Sequence, residues 1–221
     1  MTFGEKVIDF YKKLERPTGL PDGVEILDPF ADDQVKSIVE QFNQKFFNDT
    51  EPRTFLIGIN PGRLGGGTTG IPFTDPIRLS EMLGIANHFD KKQELSSNFV
   101  YQMIEWLGGV EFFYSKFYFT SACPVGFMKE GKNLNYYDIN ELQQALDKYN
   151  VKQLKKQVSF GANDIAYSIG QGKNVAYLKQ LNKKYKFFKE IRPLPHPRWV
   201  MQYRLKRLDE FLDLYKKELL G

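Results

Sequence analysis

Hydrophobic and polar positions along the chain follow two different periods. Four short runs carry no alternation and are rich in β-branched or aromatic residues. They are Thr54–Ile59 (TFLIGI), Phe117–Ala122 (FYFTSA), Val158–Gly161 (VSFG) and Phe187–Leu194 (FFKEIRPL). Each ends at Gly, Pro or a small polar residue, and together they predict the strands of a buried sheet. Helical spacing fills the intervals, over Asp33–Phe47, Leu79–Ile85, Asn98–Leu107, Tyr137–Tyr149, Asn163–Ile169 and Val175–Tyr185. Asp138, with Glu141 three residues on, predicts a cap for the fourth of these. Near the C-terminus Met201, Leu205, Leu208, Leu212, Tyr215 and Leu219 form one apolar stripe, read as core packing. Strands alternating with helices predict an α/β fold of three layers, α/β/α, around a central, mainly parallel four-stranded sheet. No repeat, low-complexity tract or linker interrupts the pattern, so residues 1–221 are expected to form a single domain.

Composition supports a substantial core, since 42% of the 221 residues are apolar and 15% aromatic. No run of 18 apolar residues predicts a membrane-spanning helix. The first fifteen residues are interspersed with charge and lack an apolar segment, so no secretory signal is read. The single cysteine, Cys123, excludes an internal disulfide, a cysteine-ligated iron–sulfur cluster and a multi-cysteine zinc site. A soluble protein of a reducing compartment, without metal, is the expectation. The net charge of +4 conceals an asymmetry. Residues 1–145 hold 14 basic and 20 acidic side chains, residues 146–221 hold 17 and 7. The last third is therefore read as a polyanion-facing surface or as a solvated lysine-rich face.

In parallel sheets ligands sit beyond the carboxyl ends of the strands, so the loops there carry the candidate chemistry. After the first strand comes GINPGRLGGGTTGIPFTD, whose glycines let backbone approach a ligand closely. Gly65-x-Gly67-x-x-Gly70 formally matches a dinucleotide fingerprint, but Ile71-Pro72-Phe73 intervenes before any helix, and no Gly-Lys-Ser/Thr phosphate loop is present. What remains is a cradle holding one amide, Asn60, and one aromatic plate, Phe73. After the second strand stand Ser121, able to hydrogen-bond a ligand in that cradle, and Cys123, read as an inert buried thiol. After the last strand comes LPHPRW. Its prolines predict a stiff, extended, non-helical backbone that positions His196 beside Arg198 and Trp199. His88 has no such setting and is read as a surface residue.

GINPG, then T-G-I-P-F ending thirteen residues after Asn60, a Cys-Pro pair after the second strand and LPHP after the last resemble the uracil-DNA glycosylase superfamily. Within it the chain is most similar to the single-strand-selective monofunctional branch, in its bacterial subtype, through NPGR, GIPFTDP and LPHPRW. The resemblance spans roughly Thr54 to Arg204. It implies that Asn60 positions the hydrolytic water and that Gly62 leaves space beside C5 of the base. It implies further that Phe73 stacks on the extruded base, that His196 hydrogen-bonds the base O2, and that backbone around Ile59 completes the pocket. Pro195, Pro197, Arg198 and Trp199 become the expected DNA contacts, with Arg198 as the candidate wedge. Relatives usually carry an asparagine at Ser121 that reads the N3 and O4 edge, and continue the histidine motif as H-P-S-P-R where this chain has H-P-R-W.

The implied function is a monofunctional DNA glycosylase of base excision repair that hydrolyses the N-glycosidic bond of uracil and related deaminated or 5-substituted bases. It would need no cofactor and no metal, act as a monomer on DNA containing uracil or another damaged base, and work in the bacterial cytoplasm at the nucleoid. Two other readings of the same residues stay open. One is a non-cutting reader of damaged bases, the other a small-molecule nucleotide enzyme using the glycine loop as a phosphate cradle.

Overall fold

The computed structural model describes all residues, 1–221. Its centre is a four-stranded sheet of β2 (Thr54–Gly58), β3 (Phe117–Ser121), β6 (Ile165–Ile169) and β7 (Glu190–Leu194), in the order β3-β2-β6-β7. All neighbours run parallel, with Gly58 opposite Ser121 and Ile169 opposite Leu194. Parallel strands must be covered on both faces, and the side chains show how. Phe55 and Tyr118 meet Phe3 of α1 (Phe3–Lys12), Thr120 bonds Gln157 of α7 (Asn140–Val158), and Ser168 bonds Asn174 of α8 (Lys173–Tyr185). On the opposite face Phe119 packs on Phe113 of α6 (Val110–Lys116), and Tyr167 donates to the Glu218 carbonyl of α10 (Leu208–Leu220). The α/β/α layering read from the sequence is the observed one. Fifty-one buried apolar residues form one contiguous cluster through it.

A second, three-stranded antiparallel sheet joins β1 (Glu25–Leu27), β4 (Gly126–Lys129) and β5 (Lys132–Leu134). Its strands are of three or four residues, too short to register as periodic. Helices α2 (Asp33–Phe46) and α5 (Leu95–Leu107) match their expected positions. The expected helix over Leu79–Ile85 forms earlier, as α4 (Pro76–Glu81), because the Asp75 carboxylate accepts from the Ile77 and Arg78 amides and Pro76 opens the first turn. A four-residue α3 (Gly66–Thr69) lies in the glycine loop.

Five expectations are corrected, the last being the non-helical backbone read for LPHPRW. Val158–Gly161 is not a strand: α7 runs on through Val158, and Ser159–Gly161 turn out of it. Asn163–Ile169 is not a helix; Ile165–Ile169 is the third strand of the sheet, and its burial on both faces erases the alternation that marks a half-exposed strand. Asp138 does not cap α7. Its carboxylate accepts from the Asn135 amide, and Ile139 takes the cap position without a side-chain bond. The C-terminal stripe is not one helix either. It splits into α9 (Pro197–Tyr203), a turn over Leu205–Arg207 and α10, leaving Leu205 56% exposed while Leu212 and Tyr215 are buried. In α9, Pro197 opens the first turn, where a proline lacks no needed N–H, so the extended backbone ends at His196.

Candidate active site

The carboxyl ends of β2, β3, β6 and β7 open into a cavity of about 570 Å³. Ile59, Asn60, Gly62, Phe73, Ser121, Pro195, His196, Arg198 and Trp199 all line it, and Pro197, buried at the start of α9, does not. His88 is exposed and lies apart. Cys123 is fully buried, and that burial pushes its thiol up to about 12, which suits an inert residue.

Asn60 is clamped at both ends of its amide. Its Nδ2 donates to the Leu134 carbonyl at 3.2 Å, and its Oδ1 accepts from the Tyr136 amide at 3.0 Å. The small antiparallel sheet thus has a task in the site, since β5 and the turn after it fix the Asn60 side chain. One Nδ2 proton and one Oδ1 lone pair remain for a water.

Phe73 adopts φ +55°, a left-handed conformation that costs a side-chain-bearing residue energy. The turn is held by Thr69, whose hydroxyl donates to the Thr74 carbonyl at 2.8 Å and accepts from the Ile71 amide at 3.2 Å. Thr74 in turn bonds the Tyr101 hydroxyl of α5 at 2.8 Å. The Phe73 ring lies over Gly58, where an added Cβ would come to 3.0 Å from the ring and push the plate by a few tenths of an ångström. The ring centroids of Phe73 and His196 are 6.3 Å apart.

His196 caps α9. Its Nδ1 accepts from the Arg198 amide at 3.2 Å, which leaves the proton of a neutral imidazole on Nε2. Burial, reinforced by the Arg198 charge, lowers its pKa to about 4, so the ring is neutral at physiological pH. The loop is anchored from below by Tyr215, whose hydroxyl donates to the Pro195 carbonyl.

The sequence did not single out Glu94, the residue that heads α5. It is the only carboxylate lining the cavity. Desolvation, then the neighbouring Asp75 charge, push its pKa up to about 7 against the opposing pull of Arg198. A lone glutamate in KKQELSS reads as a solvated helix start, and nothing in its spacing says otherwise. Lys173 was also missed. It lies on the rim at the start of α8, with its ammonium 5.6 Å from the Tyr137 ring. Arg63 and Arg198 are exposed near the same mouth, Trp199 is 39% exposed with Arg204 stacked on it at 4.7 Å, and Tyr203 is 61% exposed.

Residues 44–220 match the family described as the uracil DNA glycosylase superfamily. The chain is similar to a solved structure entitled "The crystal structure of WT Pedobacter heparinus SMUG2", with 42% identity and a TM-score of 0.96 over 99% of this chain and 97% of that one. Among curated proteins, none matches.

Proposed function

Because the chain belongs to the uracil-DNA glycosylase superfamily, in its single-strand-selective monofunctional branch, it is a DNA glycosylase, a hydrolase of N-glycosyl bonds; we propose that it excises uracil and related deaminated or 5-substituted bases without a covalent intermediate. Such a base must leave the stack, at a cost of a few kcal/mol, before any side chain reaches its sugar. Phe73 offers the flipped ring a plate, and stacking returns roughly 1–3 kcal/mol. Gly62 leaves the C5 edge open, while the Ser121 hydroxyl and backbone at Ile59 meet the far edge of the ring.

Cleavage passes through an oxocarbenium-like sugar with negative charge building on the departing base. His196, neutral and holding its proton on Nε2, donates a hydrogen bond to O2 as that charge develops. Asn60 holds the water that attacks C1′. An amide orients a water but does not take its proton, so its contribution is placement. Arg63, Lys173 and Arg198 around the mouth, with the exposed Trp199 and Tyr203, are the DNA contacts this reading assigns, and Pro195 shapes the loop that presents them.

The observation that carries the reading is the meeting, in one cavity, of a doubly clamped Asn60 and a His196 whose Nδ1 is occupied by the Arg198 amide. The test is cleavage of labelled oligonucleotides holding one uracil, 5-hydroxymethyluracil, xanthine or hypoxanthine, with alkali to break abasic sites. Cleavage by the wild type that Asn60→Ala and His196→Ala each abolish or cripple supports it. Salt-sensitive binding with no cleavage of any substrate replaces it with the non-cutting reader, and a borohydride-trapped adduct overturns the monofunctional assignment.

A further inference from the structure

Glu94 faces the base cavity with nothing to answer its carboxyl. Its backbone N–H donates to Asp75 Oδ2 at 3.0 Å, which ties the residue to the start of α4, but its side chain makes no capping bond to α5. The carboxyl fills space that two glycines leave empty: a Cβ on Gly65 would fall 2.0 Å from Oε2, and one on Gly62 would lie 3.9 Å from Oε1. Gly65 is thus needed for Glu94 to reach the wall beside Gly62.

That wall is where, in the reading above, the C5 edge of a pyrimidine lies. A purine joined to the sugar in the same orientation presents N7 at that position. We propose that Glu94 is a proton donor to N7 of a deaminated purine, an assignment that rests on the proposed function. Its proton passes to N7 as the C1′–N9 bond breaks, and the electron pair of that bond stays on the purine, which leaves neutral. Water forms the new bond to C1′ and releases its own proton to solvent, from which Glu94 is reprotonated. A pyrimidine has carbon at the same place and takes no proton there, so the two base classes depend differently on this residue.

The protonation state suits the task. Burial holds the carboxyl at about 7, so a large fraction is neutral at physiological pH. The charged groups facing it are Asp75, itself paired with Arg78, on the α4 side and Arg198 on the α9 side. Gly62, Gly65 and Gly66 bring no charge, Asn133 across the cavity is uncharged, and His196 is neutral.

The test is single-turnover excision from oligonucleotides holding uracil, hypoxanthine or 7-deazahypoxanthine, from pH 5.5 to 8.5, by the wild type and Glu94→Gln. In the wild type the hypoxanthine rate should fall as pH rises through about 7 and the uracil rate should not follow it. Glu94→Gln should lower the hypoxanthine-to-uracil rate ratio by roughly 10²-fold at pH 6 and remove that alkaline limb. The 7-deaza substrate, which lacks the accepting nitrogen, should be cut equally slowly by both proteins. Equal losses on uracil and hypoxanthine, an unchanged ratio, or a wild type that cuts uracil but no deaminated purine would each overturn the proposal. A wild type inactive on uracil as well would overturn the site reading beneath it.

Discussion

The two walls of the cavity are built on opposite terms. On the β2 side the side chains or the backbone that carries them are held before any substrate arrives: the Asn60 amide by two backbone groups, the Phe73 turn by the Thr69 hydrogen bonds, and the Glu94 backbone N–H by Asp75, its carboxyl left without a partner. On the α9 side Arg198, Trp199 and Tyr203 stand in solvent, steadied by little more than Arg204 against the indole and an edge contact from Phe211. The difference follows the chemistry. Reaction at C1′ rewards groups fixed to fractions of an ångström, whereas a flexible polymer whose bases must be moved aside is better met by groups that adjust. His196 sits at the seam, with its ring fixed by the Arg198 amide and its loop pinned by Tyr215.

The largest effect is expected at the Asn60 clamp. Asn60→Ala removes the group proposed to hold the water and should lower single-turnover excision of uracil by about 10³-fold. It also strands the Tyr136 amide and the Leu134 carbonyl, at a cost of about 1–3 kcal/mol if they stay dry. Measured rates at saturating enzyme decide it. A loss under tenfold would mean that another group holds the water.

At the seam, His196→Ala should cost about 10²-fold in the same assay, the loss of the one donor proposed to meet the developing anion. Because the wild-type ring stays neutral down to about 4, its own titration should leave the uracil rate level from pH 8 to 5. An acid limb near 6.5 that vanishes in the variant would mean that the imidazole is not buried as described.

His196 and Glu94 make a second contrast, because burial neutralises both and thereby gives stability opposite slopes with pH. The His196 pKa is lowered in the fold, so its contribution is full above 6.5 and is lost as pH falls towards 4. The Glu94 pKa is raised, so its contribution is full below 4.5 and is lost as pH rises to about 7. Each amounts to about 3 kcal/mol at most across its window. In urea titrations His196→Asn should flatten the acid side of the stability profile, and Glu94→Gln should stabilise the protein at pH 8 and not at pH 5. Parallel changes in the two variants would contradict the contrast.

The fixed wall was also the more legible one. GINPG and the T-G-I-P-F that follows pointed to Asn60 and Phe73, an amide at a strand end and an aromatic in a glycine-rich loop, while Gly62 came only with the family resemblance; all three line the cavity. The clamp on Asn60 left none, since Leu134 and Tyr136 act through backbone groups 74 and 76 residues away. Glu94 stayed hidden for a related reason: its setting is made by Gly65 and Asp75 folding against it. The central sheet was mostly readable, yet Ile165–Ile169 was taken for a helix because Ala166 and Ser168 weaken its strand signal and both its faces are covered. At the adjustable wall LPHPRW pointed to His196, but the turn of helix after it depended on Pro197 serving as a first helical residue.

On the exposed wall the expected effects concern affinity. Trp199→Ala should weaken binding to an abasic or uracil-containing single strand by about 1–3 kcal/mol if a base stacks there. Lys173→Ala should reduce the slope of log K against log salt by about 0.7, the share of one phosphate on a single strand. Fluorescence anisotropy at several salt concentrations separates the two, because loss of the indole should leave the slope intact. If Trp199→Ala changes the slope and Lys173→Ala does not, the assignments of stacking and charge must be exchanged.

The smallest effect is expected from Gly62→Ala, and it probes the fixed wall where that wall is left open. A methyl group there would lie 3.5 Å from Asn133 Nδ2 and 3.9 Å from Glu94 Oε1, ordinary contact distances, so neither fold nor stability should suffer. In the proposed placement of the base the methyl would instead project towards its C5 edge. Uracil, with hydrogen at that position, should lose only a few-fold in rate, on the order of 1 kcal/mol. 5-Hydroxymethyluracil needs the same space for its substituent and should lose about 10-fold or more. Competition between the two substrates in one tube reads that ratio without any correction for enzyme concentration. A ratio that does not move would take Gly62 away from the C5 edge, and would take with it the placement of purine N7 beside Glu94.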